Sequence, residues 1–149
     1  MKNILISLLL LGSSSIFAAD ALQVDPSAQA KADKQLKIQN KSVIKHVVEE
    51  LSSKVPQTVD QYTTFTNITS DDLTLIYTFE INTGAKSDEA VRKEDGPRMG
   101  EYVKNGICQS SRRFLESDIL IKYVYNSASS KKELFSFFVE PKDCLQIWK

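Results

Sequence analysis

The chain holds two cysteines, Cys108 in "NGICQSS" and Cys144 in "EPKDCLQ". Two chemistries are open to such a pair. A thiolate can serve as a nucleophile or redox centre, but it needs a base or cation beside it to lower its pKa. Joined as a disulfide, the same sulfurs staple a fold, which needs an oxidising compartment. The one histidine, His46, lies far upstream in a segment of helical periodicity. An even cysteine count and an N-terminal export signal favour a Cys108–Cys144 disulfide. In the chain-entropy picture a loop of that length stabilises a fold by about 4 kcal/mol.

Other residues that could do chemistry read as structure or surface. His46, in "IKHVVEE", sits at the edge of an apolar stripe without a partner motif, and is expected to be a half-buried helix residue rather than a ligand or base. A metal site needs His, Cys, Asp or Glu clustered at ligand spacing, and no such spacing occurs. Glycoside hydrolysis needs two carboxylates held apart across a cleft. Glu49–Glu50 and Asp71–Asp72 are instead adjacent acids, expected to be solvated charge. Asp60 is expected to anchor a turn through backbone amides. Gly-x-Ser-x-Gly, the phosphate loop and Gly-x-Gly-x-x-Gly are all missing from the sequence. Arg112–Arg113 and Lys131–Lys132 are short basic spots of ordinary surface type. The sequence thus predicts no catalytic residues, no metal ligands and no cofactor.

The elements that must position the cysteines can be read from periodicity. In "DKQLKIQNKSVIKHVVEELSSKVP", Leu36, Val43, Ile44, Val47, Val48, Leu51 and Val55 trace one stripe of a helix starting near Asp33 and stopped by Pro56. The period then becomes alternating. "QTVDQYTTFTNIT" reads as a strand, Ser70–Asp72 as a turn, and "LTLIYTFEI" as a second strand with Leu73, Leu75, Tyr77, Phe79 and Ile81 on one face. "NTGAKSDEAVRKEDGPRM" carries Gly84, Gly96 and Pro97, and reads as a charged, exposed break. "GEYVKNGICQSSRRFLES" reads as one or two short helices. A second hairpin follows: "ILIKYVYN", a polar turn "ASSKK", and "ELFSFFVE" ended by Pro141. Phe137 beside Phe138 predicts cover on both faces of that last strand over part of its length.

The expected fold class is α+β: a four-stranded antiparallel sheet packed on a long N-terminal helix, with a helical insertion between two β-hairpins, cystatin-like in outline. Its cysteine pair would tie the insertion to the end of the last strand.

Composition and the N-terminus bound the setting. The chain has 149 residues, one domain's worth, with 19 basic and 19 acidic side chains and a formal charge of zero. No net field points to nucleic acid. "MKNILISLLLLGSSSIFAAD" has a lysine, a short apolar core and small residues, the pattern of a secretory signal peptide. Residues 1–19 are therefore expected to be the signal, with cleavage after Ala18 or Ala19 and Ala21 as the alternative. Residues 20–32 are expected to be a mobile extension, and 33–149 a single α+β domain. No membrane span is expected after signal cleavage, and no cysteine lies near the cleavage site.

Several short runs carry a resemblance. "VPQTVDQYTTF", "LTLIYTF", "GICQSSRRFL", "YVYN" and "FFVEPKDC" occur in that order between Val55 and Cys144. The run resembles a group of small exported bacterial domains of unknown function, with a Val-Asp strand start, a mid-chain Cys and a terminal Asp-Cys. The Glu usual after Val-Asp is Gln61 here. The resemblance implies an exported α+β domain with a disulfide, and supplies no catalytic residues.

The functional expectation is an exported, non-enzymatic binding or accessory protein of the bacterial cell envelope, periplasmic or secreted. It would act on a protein partner through a rigid, stapled sheet. The alternatives are an inhibitor or immunity protein against a hydrolase, plugging an active site with the charged stretch Lys86–Pro97, and an unrecognised enzyme using His46 or Asp60.

Overall fold

The structure, a computed structural model, describes residues Asp25–Lys149; the expected signal peptide at residues 1–19 lies outside the described residues. The first element is a 27-residue helix, α1, Pro26–Ser52. It starts earlier than Asp33 because Asp25 is its N-cap, its side chain accepting a hydrogen bond from the Ser27 amide at 2.9 Å, and Pro26 takes the first helical position, where a missing N–H costs nothing. The part of the expected extension from Pro26 to Ala32 is thus helical. Burial on α1 begins only at Asn40 and Ile44.

The sheet has five strands in the order β1-β2-β3-β4-β5: β1 Gln57–Thr58, β2 Thr63–Asp71, β3 Thr74–Ile81, β4 Leu120–Ser127 and β5 Glu133–Val139. Two features correct the expected four-stranded antiparallel sheet. The single strand expected over 57–69 is broken at Asp60, where the chain bends, and the detached piece pairs back on β2 as β1. The two hairpins also meet in parallel, β3 on β4, with Tyr77 opposite Tyr123 and Phe79 opposite Tyr125. A parallel join needs a long crossover. Two helices supply it: α2, Asp88–Ser110, and α3, Arg112–Glu116.

The α2 helix is the largest departure from expectation. Its first half was expected to be an exposed loop, yet it is helical from Asp88. Ser87 caps it by accepting from the Ala90 amide, and Asp88 and Glu89 place negative charge on the first turn, where the helix dipole favours it. Pro97 lies inside this helix. Packing against β5 offsets the hydrogen bond it removes.

One face of the sheet carries the aromatic residues of the core. Phe65 stands opposite Phe79, Phe79 beside Tyr125, and Tyr125 opposite Phe135. Tyr77, Tyr123 and Phe137 form the neighbouring row. Ring centroids along this ladder are 4.9–6.4 Å apart, the range in which offset and edge contacts stabilise. Ile44 of α1 and Val91, Val103 and Ile107 of α2 join these rings in a single core. The α1 helix rests on β2 and β3, and α2 rests on β5. The other face carries Thr74, Ile76 and Thr78 on β3, and Lys122 and Val124 on β4. No described helix covers it; Phe138 there is about half exposed, whereas the adjacent Leu134 and Phe135 at the start of β5 are both buried.

A 3-10 turn, Pro141–Cys144, ends the fold. Cys144 is bonded to Cys108 of α2, both fully buried, with their Cα atoms 5.4 Å apart. Trp148 folds back over this link and donates its indole N–H to the Cys108 carbonyl at 2.7 Å. The Arg112 guanidinium stacks on its ring at 5.3 Å.

Candidate functional site

The site is made where β3 hands over to α2. After Ile81 the chain turns at Gly84, whose φ of +59° suits a residue without a Cβ. Asn82 steadies the turn by accepting from the Gly84 amide at 3.0 Å. The turn throws α2 out over the sheet, and the helix settles onto β5 through two glycines one turn apart. Gly96 faces Phe135, and Gly100 faces Phe137 so closely that a Cβ would stand 3.1 Å from the ring. On the far side, Arg92 donates from Nε and Nη2 to the Glu133 carbonyl at the start of edge strand β5, at 3.2 and 2.8 Å.

Between α2 and the sheet end lies a cavity of about 630 Å³. Its floor is apolar, formed by Ile81, Val91, Met99 and Phe135. Tyr62 and Tyr102 also line it, and they are 58% and 81% exposed. Large aromatics at such exposure are unusual for residues with only a packing role. Asp60 sets the position of Tyr62: one carboxylate oxygen accepts from the Tyr62 and Thr63 amides, both at 2.8 Å. These bonds, that to Tyr62 foremost, hold the Asp60 carboxyl below its ordinary range. The expected turn-anchoring role of Asp60 is therefore what the geometry shows.

The charges at the cavity are engaged with one another. Lys86 Nζ lies 3.0 Å from Glu94 and 3.4 Å from Asp95, and Arg98 reaches Asp95 at 3.4 Å. The bond to Glu94 is the main cause of a raised Lys86 pKa. Such a rim can orient a bound chain by its polar groups while the floor takes apolar side chains.

The structure scatters the other residues of interest. The His46 side chain is 77% exposed, not half-buried as expected, and lies 3.8 Å from Glu49. It is on α1, well apart in sequence and element from the cysteine pair. Glu50 pairs with Lys54, and Asp72 with Lys37 and Lys41. Arg112 bonds Glu116, and Lys131 bonds Glu80. Among the described residues, no group of three or more His, Cys, Asp or Glu could hold a metal ion. The stretch Lys86–Pro97 is no loop but the turn and first half of α2, and it forms one wall of the cavity. Sequence reasoning missed Val91, Met99 and Phe135 as a set. The signal was available: Val91, Met99, Val103 and Ile107 recur at multiples of four, a single helical stripe.

No family model matches the chain, and no curated protein matches it in sequence. Solved structures do. A Pseudomonas aeruginosa protein named as a candidate secreted protein superposes with a TM-score of 0.63 at 14% identity, over 73% of this chain and 96% of its own. The pilotin EpsS of the Vibrio vulnificus type 2 secretion system gives 0.62 at 12% identity, over 74% and 96%. The type II secretion system pilotin AspS of Vibrio cholerae gives 0.56 at 13%, over 76% and 99%. At these identities the likeness is one of fold, and it establishes the α+β architecture.

Proposed function

We propose that this protein is an exported, non-enzymatic accessory protein of the cell envelope that holds a segment of a partner protein in the cavity between α2 and the sheet. The observation that carries the reading is the cavity itself: an apolar floor with two exposed tyrosines among its lining residues, and a rim of charges already paired. Binding sites for protein segments have this anatomy of aromatic anchors around an apolar centre. None of the cavity's lining residues is a histidine or cysteine, and its one carboxylate, Asp95, is held between Lys86 and Arg98. That arrangement suits recognition better than proton transfer. The fold likeness to two pilotins and a candidate secreted protein supports an envelope setting, as does the signal-like N-terminus. The inhibitor reading loses its specific feature, because the expected plugging loop is a packed helix.

The test is site-specific photo-crosslinking in cells, with the photoreactive residue at Tyr62, at Tyr102, or at Phe138 on the open sheet face. A protein adduct from Tyr62 and Tyr102, absent from Phe138 and weakened by Met99→Asp, is the expected result. An adduct from Phe138 alone, or none from either tyrosine, would overturn the assignment.

A further inference from the structure

A second surface lies on α1, which contributes nothing to the cavity. Every residue from Asp25 to Gln39 is exposed, so this part of the helix presents its side chains to solvent. Lys31, Lys34, Lys37, Lys41 and Lys45 follow one another at three- or four-residue steps. That spacing sets them in one row about 21 Å long. Between Pro26 and Val48 the only acid is Asp33, and its carboxylate accepts a hydrogen bond from Gln29 at 2.7 Å. Lys37 and Lys41 share the single carboxylate of Asp72, each at 2.9 Å. Lys45 is 3.7 Å from Glu49. The row is thus richer in cations than in acids to meet them, in a chain whose formal charge is zero. Like charges at this spacing destabilise a helix, and an external anion would relieve that cost.

The chemistry of the row narrows the anion. All five cations are lysines, which act as point charges; the planar fork of arginine, suited to a fixed carboxylate or phosphate, is missing from the row. No Phe, Tyr or Trp lies between Pro26 and Val48 to stack on a nucleic-acid base. Ile38 falls within the lysine row and is 53% exposed. A band of non-directional charges along one helix face, around an apolar side chain, fits an extended, fluid anionic plane. We infer that the lysine row of α1 docks the protein on an anionic phospholipid surface, with Ile38 entering the interface. No described helix is long and apolar enough to cross a membrane.

Co-sedimentation of the purified protein with vesicles tests this. The vesicles are phosphatidylcholine alone, or phosphatidylcholine with about 30% phosphatidylglycerol, an anionic surface of the kind that attracts basic segments. At about 0.05 M salt, where screening is weak, the protein is expected to partition onto the anionic vesicles only, and to leave them as salt rises. Lys31→Gln/Lys34→Gln/Lys45→Gln should lower partitioning by about a hundredfold, at roughly fivefold per lysine near the surface. Ile38→Ser should weaken binding without changing its salt slope. Lys131→Gln/Lys132→Gln should change nothing. Wild-type binding indifferent to phosphatidylglycerol or to salt would overturn the inference without recourse to any variant. So would retention by polyglutamate beads with no vesicle binding, which would point to an acidic protein instead.

Discussion

Gly100 of α2 and Phe137 of β5 meet at the limit of close packing: a Cβ on the glycine would lie 3.1 Å from the ring. Gly106, six residues on in the same helix, has nothing within 4 Å of that position. The pair separates two roles of glycine in one element. At Gly106 only the conformational cost of glycine is at stake, so Gly106→Ala should stabilise by about 0.5–1 kcal/mol. At Gly100 the same gain is set against displacement of the Phe137 ring, so Gly100→Ala should gain less than Gly106→Ala. Gly100→Val should destabilise by about 1–3 kcal/mol through overpacking. Urea unfolding of the three variants ranks them; equal effects at both positions would show that α2 does not sit tightly on β5.

The Cys108–Cys144 link spans 36 residues of sequence and joins the end of α2 to the last turn of the chain. The segment it closes contains α3, β4 and β5. Cys108→Ser/Cys144→Ser should therefore lose about 4 kcal/mol, the loop-closure entropy returned to the unfolded chain. Denaturation of the wild type with and without reductant should show the same difference. A loss under about 1 kcal/mol would mean that the tail contacts, Trp148 on Cys108 and Arg112 on Trp148, hold this corner unaided.

Much of this was legible in the residues, and what was not has a physical reason. The inward faces of β3, β4 and β5 follow from strict alternation, which a strand with one covered face imposes. The cysteine pairing needed only an even count and a signal-like N-terminus. The parallel join of β3 and β4 was not legible, because two hairpins linked by a helical segment can meet in either sense and each keeps its buried face. The β1 strand has two residues, too few to carry a period. The start of α2 was hidden by Gly96 and Pro97, read as breakers; their true context is a helix face pressed on Phe135 and Phe137. The cavity was illegible because it is a gap between elements, and a gap leaves no pattern in either of them.

Acid should weaken the fold through carboxylates held below their ordinary range. Asp60 is lowered chiefly by its bond to the Tyr62 amide, Asp72 by Lys41 and then Lys37, and Asp143 by the Glu140 amide. A depressed folded-state pKa stabilises above the unfolded value, near 3.8 for Asp, and that contribution is lost as pH falls through the folded one. Stability should thus be flat from neutrality to about pH 5 and fall below it. Asp60→Asn keeps an acceptor for the two amides but cannot titrate, so its stability should fall less steeply than wild type between about pH 4 and pH 2. Thermal midpoints across that range decide it; parallel curves would remove Asp60 as a contributor.

At the alkaline end the sign reverses in cause but not in outcome. Burial pushes Tyr77 up to about 12 and raises Tyr125 and Tyr123 as well, with the charge of Tyr123 adding to the first two. A raised folded-state pKa leaves stability intact below the unfolded value, about 10 for tyrosine, and removes it as pH climbs above that. The aromatic ladder should therefore unfold in strong alkali. Tyr77→Phe, which cannot ionise and keeps the ring contacts to Phe65 and Tyr123, should resist it longer. Far-UV circular dichroism from about pH 9 to pH 12 reads the difference, and an unchanged midpoint would place the transition elsewhere.

The last prediction concerns how α1 is held. Asn40 is its first buried residue, 5% exposed, and donates from Nδ2 to the Ser117 carbonyl at 2.5 Å. Ser117 directly follows α3 and precedes β4. A single amide thus joins the N-terminal helix to the crossover, 77 residues away in sequence. Asn40→Ala deletes the donor and leaves a carbonyl with reduced access to water, a loss of about 1–3 kcal/mol. Asn40→Asp is a sharper probe. A carboxylate offers only acceptors, so at neutral pH it repels the carbonyl, whereas protonation at low pH restores a donor. Asn40→Asp should therefore be less stable than Asn40→Ala at pH 7 and should recover relative to it as the pH approaches 4. If the two variants match at both pH values, the amide does not bear on stability, and Ile44, one turn later and 2% exposed, is the residue that seats the helix.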